Sequence, residues 1–198
     1  MSGKKEDDRV KEQLVTYDVY AAMPEDGHRY EIFDGVLEMM SPGPSTVHQG
    51  IGMELSLLLS RSCKSDYVIL TAPLDVILSR MNVLQPDIVM VHRSRMEILT
   101  MRGIEGAPDL VVEVLSPGSR KRDRVRKLPI YAKHGVPEYW IVDPSARTLE
   151  QLTLAGGKYE ASNLFEEDDV VASEKLSCVS FKVSELFADE SIRRLLGN

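Results

Sequence analysis

Two carboxylates set among aliphatic residues are the side chains best placed to do chemistry. Asp87 follows Pro86 and opens the run Ile88-Val89-Met90-Val91, so it stands at the mouth of a short strand, where its carboxylate can point out of a sheet edge. Glu113 lies among Val111, Val112, Val114 and Leu115, where burying a charge costs several kcal/mol unless a cation or a donor meets it. A positive group is therefore expected close to Glu113. If the two runs pair, the acids lie a few ångströms apart and repel each other until a proton or a cation joins them. Hard oxygen ligands of this kind suit Mg²⁺, or Mn²⁺ in its place, which takes one or two carboxylates and leaves its other positions to water and phosphate. A cation held this way can polarise a phosphodiester and activate a water. Each acid also has an ordinary reading, Asp87 as a turn residue after proline and Glu113 as a strand residue facing solvent.

Residues 107–144 join these acids to a source of positive charge. The runs Leu110 to Leu115 and Tyr139 to Val142 are rich in β-branched residues and flank a basic segment with helical spacing, so the stretch reads as strand, helix, strand. The segment holds Arg120, Lys121, Arg122, Arg124, Arg126 and Lys127, the one dense positive run, which attracts phosphate unless it is simply a solvated helix face. Asp123 and Lys127 are spaced i, i+4 with the acid first, worth roughly 0.2–0.5 kcal/mol on an exposed helix. Pro129 removes a donor and clashes with the preceding turn, so the helix either kinks there or begins later.

The elements that must position these groups follow from local pattern. Thr16 can cap a short helix that Pro24 stops. Asp34-Gly35 favours a type I′ turn, which makes residues 28–42 a hairpin with Glu31 and Glu38 one on each arm. Ser45 begins an amphipathic helix whose Ile51, Leu55, Leu58 and Leu59 share a face, with His48 in its first turn. Tyr67 to Thr71 and Leu74 to Leu78 read as extended segments bent at Pro73, and residues 93–106 as a surface excursion. Beyond Pro144, alternation across Ala155-Gly156-Gly157 reads as a hairpin outside the sheet, and residues 166–169 as a solvated acidic loop. Val170, Val171, Val179 and Phe181 suggest short closing strands, and Ser184 can cap a last helix carrying Leu186 through Leu196.

Composition bounds the whole. A chain of 198 residues, 43% apolar and 28% charged, is long enough for one well-packed domain and short for two. The net charge of −7 argues against a protein coated in basic surface for tight, sequence-independent DNA binding, while leaving room for a local basic patch. Cys63 and Cys178 are far apart and outside any metal-ligand spacing, so reduced, buried thiols are expected. The charged N-terminus lacks the apolar core of a signal peptide, and no apolar run approaches a membrane span, so a cytoplasmic protein with no membrane partner is expected.

The string Pro86-Asp87, then PDLVVEVLSPGS at 108–119, Asp123, Lys127, Tyr131 and GVPEYWIVDP at 135–144, resembles a large bacterial family of restriction-endonuclease-like proteins, the "Uma two" group of the PD-(D/E)XK nuclease superfamily. The resemblance also takes in YEIFDGVLEMMSP at 30–42 with His48 after it, and so runs from about Thr16 to Phe187. It implies an α/β fold in which a restriction-endonuclease-like mixed β-sheet is flanked by helices, with peripheral β-hairpins. The mixed-charge residues 1–14 read as a flexible lead, and residues 15–198 as a single domain, nuclease-like by the resemblance. By the same resemblance Asp87 and Glu113 are the motif acids and ligands of Mg²⁺. The motif lysine would fall at Leu115, and Lys127 on the following helix is offered in its place, to orient or deprotonate water or to stabilise charge on phosphate. Glu31 is a further acid of the site or a polar residue on an exposed hairpin arm. His48 contacts phosphate, lies near the metal, or is a capping residue. Arg120, Lys121 and Arg124 are the candidate nucleic-acid contacts, and Tyr131 and Trp140 read as packing residues.

The resulting expectation is a Mg²⁺-dependent endonuclease acting on nucleic acid, DNA foremost, with a homodimer inferred only by analogy. A module that binds nucleic acid or assembles without efficient chemistry is the alternative, favoured by Leu115 and Pro129. A purely structural domain would bury Glu113 against a side-chain partner with no room for an ion.

Overall fold

Every side chain of the run LVVEVL is buried, and the two faces between which they alternate organise the molecule. The computed structural model describes residues 14–40 and 43–197. Apart from Leu14, the lead expected over residues 1–14 lies outside the described residues. In chain order the elements are α1 (Tyr17–Ala21), β1 (Tyr30–Phe33), β2 (Val36–Met39), α2 (Thr46–Cys63), β3 (Tyr67–Thr71), β4 (Val76–Ser79), β5 (Asn82–Leu84) and β6 (Ile88–His92). A 3-10 stretch at Arg93–Ile98 leads to β7 (Leu99–Thr100), β8 (Gly103–Ile104) and β9 (Leu110–Val114). A π-helical turn at Arg122–Lys127 runs straight into α3 (Leu128–Lys133), followed by β10 (Glu138–Asp143), β11 (Thr148–Ala155), β12 (Lys158–Glu166) and β13 (Val170–Val171). The chain ends with β14 (Phe181–Lys182), a 3-10 turn at Val183–Phe187 and α4 (Glu190–Leu195).

The main sheet has six strands in the order β12-β11-β10-β9-β6-β3. β9 and β10 run parallel, joined by the π-helical turn and α3, and the other pairs are antiparallel. The strand-helix-strand reading of residues 107–144 is thus the parallel core of this sheet. Leu110, Val112 and Val114 face one side and pack with Ile51, Leu55 and Leu59 of α2 and with Trp140. Val111 and Leu115 face the other side and pack with Tyr131 of α3 and with Tyr139. Glu113 shares that second face by the two-residue period of a strand.

The second face is closed by another six-stranded mixed sheet, β2-β1-β5-β4-β8-β7. The hairpin expected at the periphery is therefore one side of a full sheet. Its turn is as the sequence requires, with Asp34 and Gly35 both at positive φ (47° and 86°), the geometry of a type I′ turn. β5 and the β7–β8 pair, absent from the sequence reading, are two or three residues long and complete this sheet.

Three expectations are corrected. Thr16 holds the N-cap position of α1 but makes no side-chain cap bond. The single last helix behind Ser184 is two pieces, because Asp189 accepts from the Ser191 and Ile192 amides and starts α4 afresh after the 3-10 turn. Cys63 and Cys178 are not separate thiols: they form a disulfide, since the segment before β14 folds back over the C-terminal turn of α2 within one core cluster. Among the described residues no helix is long and apolar enough to cross a membrane.

Candidate active site

Four elements deliver side chains to one cluster. β9 presents Glu113, β1 of the second sheet presents Glu31, the residues ahead of β6 present Gln85 and Asp87, and the π-helical turn presents Asp123 and Lys127. Glu31, Glu113, Asp123 and Lys127 are all almost fully buried. The exposed readings of Glu31 on a hairpin arm and of Lys127 on a solvated helix do not hold, because packing of the second sheet against α3 covers both.

The ammonium of Lys127 is the centre. Its Nζ lies 2.8 Å from Glu113 Oε1, 3.0 Å from Glu31 Oε1 and 3.6 Å from Asp123 Oδ1, and donates to the Gln85 carbonyl at 3.4 Å. The positive group expected beside Glu113 is this one. Burial alone would discharge the amine, but Glu113, Glu31 and Asp123 outweigh it and hold the Lys127 pKa well above its usual value. Burial pushes the Glu113 carboxyl well up against the pull of Lys127, with Asp123, Asp87 and Glu31 adding to the rise. Asp123 is raised for the same first reason, burial, against Lys127.

Asp87 is fixed separately. Its Oδ2 accepts from the Val114 amide at 2.7 Å and lies 3.0 Å from His48 Nε2, so the first turn of α2 and the end of β9 pin the carboxylate between them. Ser45 caps α2 by accepting from the His48 amide, which sets the imidazole toward Asp87. Burial disfavours the charged imidazole, yet the hydrogen bond to Asp87 and its charge leave the His48 pKa raised. Asp87, Glu113, Asp123, Lys127 and His48 line one cavity of about 410 Å³. Among the described residues, Asp87 Oδ1 and Glu113 Oε2 carry no hydrogen bond, and the buried Glu31 Oε2 has no hydrogen-bond partner.

Comparison with known proteins places the chain in a family and supports its fold. Residues 17–183 match the family described as "Uma2: Putative restriction endonuclease". The chain belongs to the Uma2 family. A crystal structure titled as a putative nuclease belonging to DUF820 from Anabaena variabilis ATCC 29413 superposes with a TM-score of 0.71 at 22% identity, covering 88% of this chain and 98% of that one. The type IIG restriction endonuclease BpuSI superposes with a TM-score of only 0.40 at 16% identity, covering 79% of this chain and 18% of that one. Among curated proteins, none matches. The fold is thus the nuclease-like α/β fold that the resemblance implied.

Within this Uma2 chain the remaining sequence candidates fall elsewhere. Arg120 pairs with Asp143 at 2.9 Å and Arg124 with Glu150 at 2.6 Å, while Lys121 is exposed; none of the three lines the cavity. Arg126 is paired with Glu38. The basic run is therefore largely neutralised by the chain's own acids. Leu115 lies buried in the apolar cluster on the Glu113 face, and the amine that reaches Glu113 comes from Lys127 instead. Tyr131 and Trp140 are packing residues with no exposure.

Three contributors escaped the sequence reading. Gln85 donates its backbone N–H to Glu31 Oε1 at 2.8 Å and lends its carbonyl to Lys127, and its place directly before Pro86-Asp87 was the available signal. Asp123 enters the cluster through the i, i+4 spacing that had suggested only an exposed pair. Arg122 reaches to 3.7 Å from Glu31 Oε2, hidden in sequence among five other basic residues.

Proposed function

We propose that the chain is a divalent-cation-dependent endonuclease that hydrolyses phosphodiester bonds, with DNA as its substrate. The observation that carries this reading is the convergence of Asp87 and Glu113, from neighbouring strands, on one cavity beside a buried ammonium. The donor set fits a hard cation. Four carboxylates, Glu31, Asp87, Glu113 and Asp123, face two permanent cations, Lys127 and Arg122, and one oxygen each of Asp87 and Glu113 is left without a hydrogen bond among the described residues. No group of three or more His, Cys, Asp or Glu side chains among the described residues is arranged to hold a metal, so a cation taken by these two acids would keep the remaining positions for water and phosphate, as Mg²⁺ does.

Asp87 and Glu113 would hold Mg²⁺ or Mn²⁺, and such an ion supplies Lewis-acid polarisation of the phosphodiester and a more acidic water. The chain's own groups do the rest. His48 and the Val114 amide hold Asp87 by one oxygen and leave the other without a hydrogen bond among the described residues. Lys127, held protonated by its three acids, orients Glu113 and offsets negative charge; its raised pKa speaks against its acting as the base. Glu31 and Asp123 keep that ammonium in place. A cytoplasmic site of action is part of the proposal; of the disulfide there, Cys63 is buried and Cys178 half-buried.

Supercoiled plasmid is expected to be cut with Mg²⁺ or Mn²⁺ and left intact in EDTA. Asp87→Asn and Glu113→Gln are each expected to lower the rate by at least about 100-fold. Equal rates for the wild type and both variants overturn the assignment. A second reading, a nucleic-acid-binding module without chemistry, is favoured by one observation: the Lys127 amine is already shared among Glu113, Glu31, Asp123 and the Gln85 carbonyl. DNA binding without cutting identifies it. A homodimer that addresses two strands stays with the proposal by analogy, and linear product at early times is its signature.

A further inference from the structure

Phosphate needs a positive partner, and the basic run supplies little. Arg120, Arg124 and Arg126 are spent on Asp143, Glu150 and Glu38. Two other guanidinium groups line the cavity itself, Arg29 and Arg122. Arg29 precedes β1, and its carbonyl accepts from the Met40 amide at 2.8 Å, which continues the hairpin ladder. Side chains two apart on an extended strand share a face, so Arg29 projects to the side of the sheet that Glu31 occupies. It is half-buried and, among the described residues, makes no ion pair and no side-chain hydrogen bond.

Arg122 stands on the π-helical turn with its side chain 18% exposed, against 3% for Lys127 and 4% for Glu113, so it sits nearer the mouth than the acids do. Among the described residues it approaches Glu31 Oε2 only to 3.7 Å and donates one bond, to the Met39 carbonyl at 3.4 Å. Of its five N–H donors most remain for a ligand. The first turn of the 18-residue α2 lines the same cavity through His48 and Gln49 and adds the positive end of its dipole. Acids at the base and guanidinium groups nearer the mouth make a gradient that draws an anion in over a cation site.

We propose that Arg29 and Arg122 clamp a backbone phosphate of the nucleic acid at the mouth of the Asp87–Glu113 cavity, Arg29 making no ion pair among the described residues. This rests on the nuclease reading for the identity of the ligand. Planar guanidinium forks suit the two free oxygens of a phosphodiester, where an ammonium would act only as a point charge.

The test is binding of a fluorescent DNA duplex by anisotropy in EDTA, over a salt series, with the full chain. Arg29→Ala is expected to raise Kd roughly 3–10-fold and to lower the slope of log K against log salt by about 1. Arg29→Lys is expected to restore the slope but only part of the affinity, and Arg124→Ala to leave both unchanged. Thermal unfolding of Arg29→Ala is expected to match the wild type, because among the described residues Arg29 makes no ion pair and no side-chain hydrogen bond. Wild-type affinity and slope in Arg29→Ala, an equal loss in Arg124→Ala, or no duplex binding by the wild type each overturn the clamp. Arg29-dependent binding without cutting in Mg²⁺ leaves the clamp standing and removes the nuclease reading. Cutting that needs Asp87 but binding that ignores Arg29 does the reverse.

Discussion

Removing the Lys127 ammonium would leave Glu113, Glu31 and Asp123 facing one another out of water. Loss of one partner of a buried ion pair costs about 3–5 kcal/mol, so Lys127→Met is expected to lower the urea midpoint by that equivalent, whether or not the chain cuts DNA. An unchanged midpoint would mean the acids are protonated or hydrated and the cluster is looser than the distances indicate. Arg120, a candidate ligand contact in the sequence, is paired within the fold with Asp143. Asp143 is partly buried, which tends to raise its pKa, but Arg120 and the Ser145 and Ala146 amides hold it below the usual carboxylate range. A carboxyl depressed in the folded state stabilises above its unfolded pKa of about 3.8 and loses that contribution as pH falls through the lower folded value. Arg120→Ala is therefore expected to begin acid unfolding at a higher pH and to cost about 0.2–1 kcal/mol at neutral pH, since Arg120 is half exposed. Circular dichroism along an acid titration reads both.

At the scale of elements, Pro129 and the disulfide show what local pattern hides. Pro129 lacks the N–H that an ordinary helical turn would use, and the chain before it is wound as a π-helical turn, from which Asp123 and Lys127 reach the cluster with Glu113. The sequence offered a kink or a late start; the structure has neither, since the chain is helical from Arg120 to Lys133 and a π-helical turn directly ahead of Pro129 takes up the missing donor. The disulfide spans 115 residues and staples the C-terminal segment to α2. Closing so long a loop is worth about 2–5 kcal/mol, so Cys63→Ala/Cys178→Ala is expected to unfold at correspondingly lower denaturant, and a matching midpoint would show the staple adds nothing. Elements with strong local chemistry were legible. The Asp34-Gly35 hairpin, the Ser45-capped α2 and the alternating β9 all follow from residue type. The unread ones, β5, β7 and β8, are short, and tertiary pairing rather than propensity makes them strands. In the site, the motif acids and Lys127 were legible through family resemblance, whereas Gln85 works through its backbone and Arg29 and Arg122 matter by position, which no single-residue signal carries.

At the scale of the molecule, two six-stranded mixed sheets meet at one charged seam. Glu31 comes from the second sheet and Glu113 from the first, and Lys127 bridges them. An acidic chain of net charge −7 thereby concentrates carboxylates at the base of one cavity and keeps two arginines along its wall. Such an arrangement is costly for a purely structural seam, because a protonated or apolar pair would pack as well without the desolvation. It is understandable if a cation completes it. The most direct measurement is a Mn²⁺ titration of the full chain followed by electron paramagnetic resonance. The account predicts one ion per chain, with binding weakened at least about tenfold in both Asp87→Asn and Glu113→Gln. Saturable binding that both variants retain, or no binding by the wild type, would contradict it.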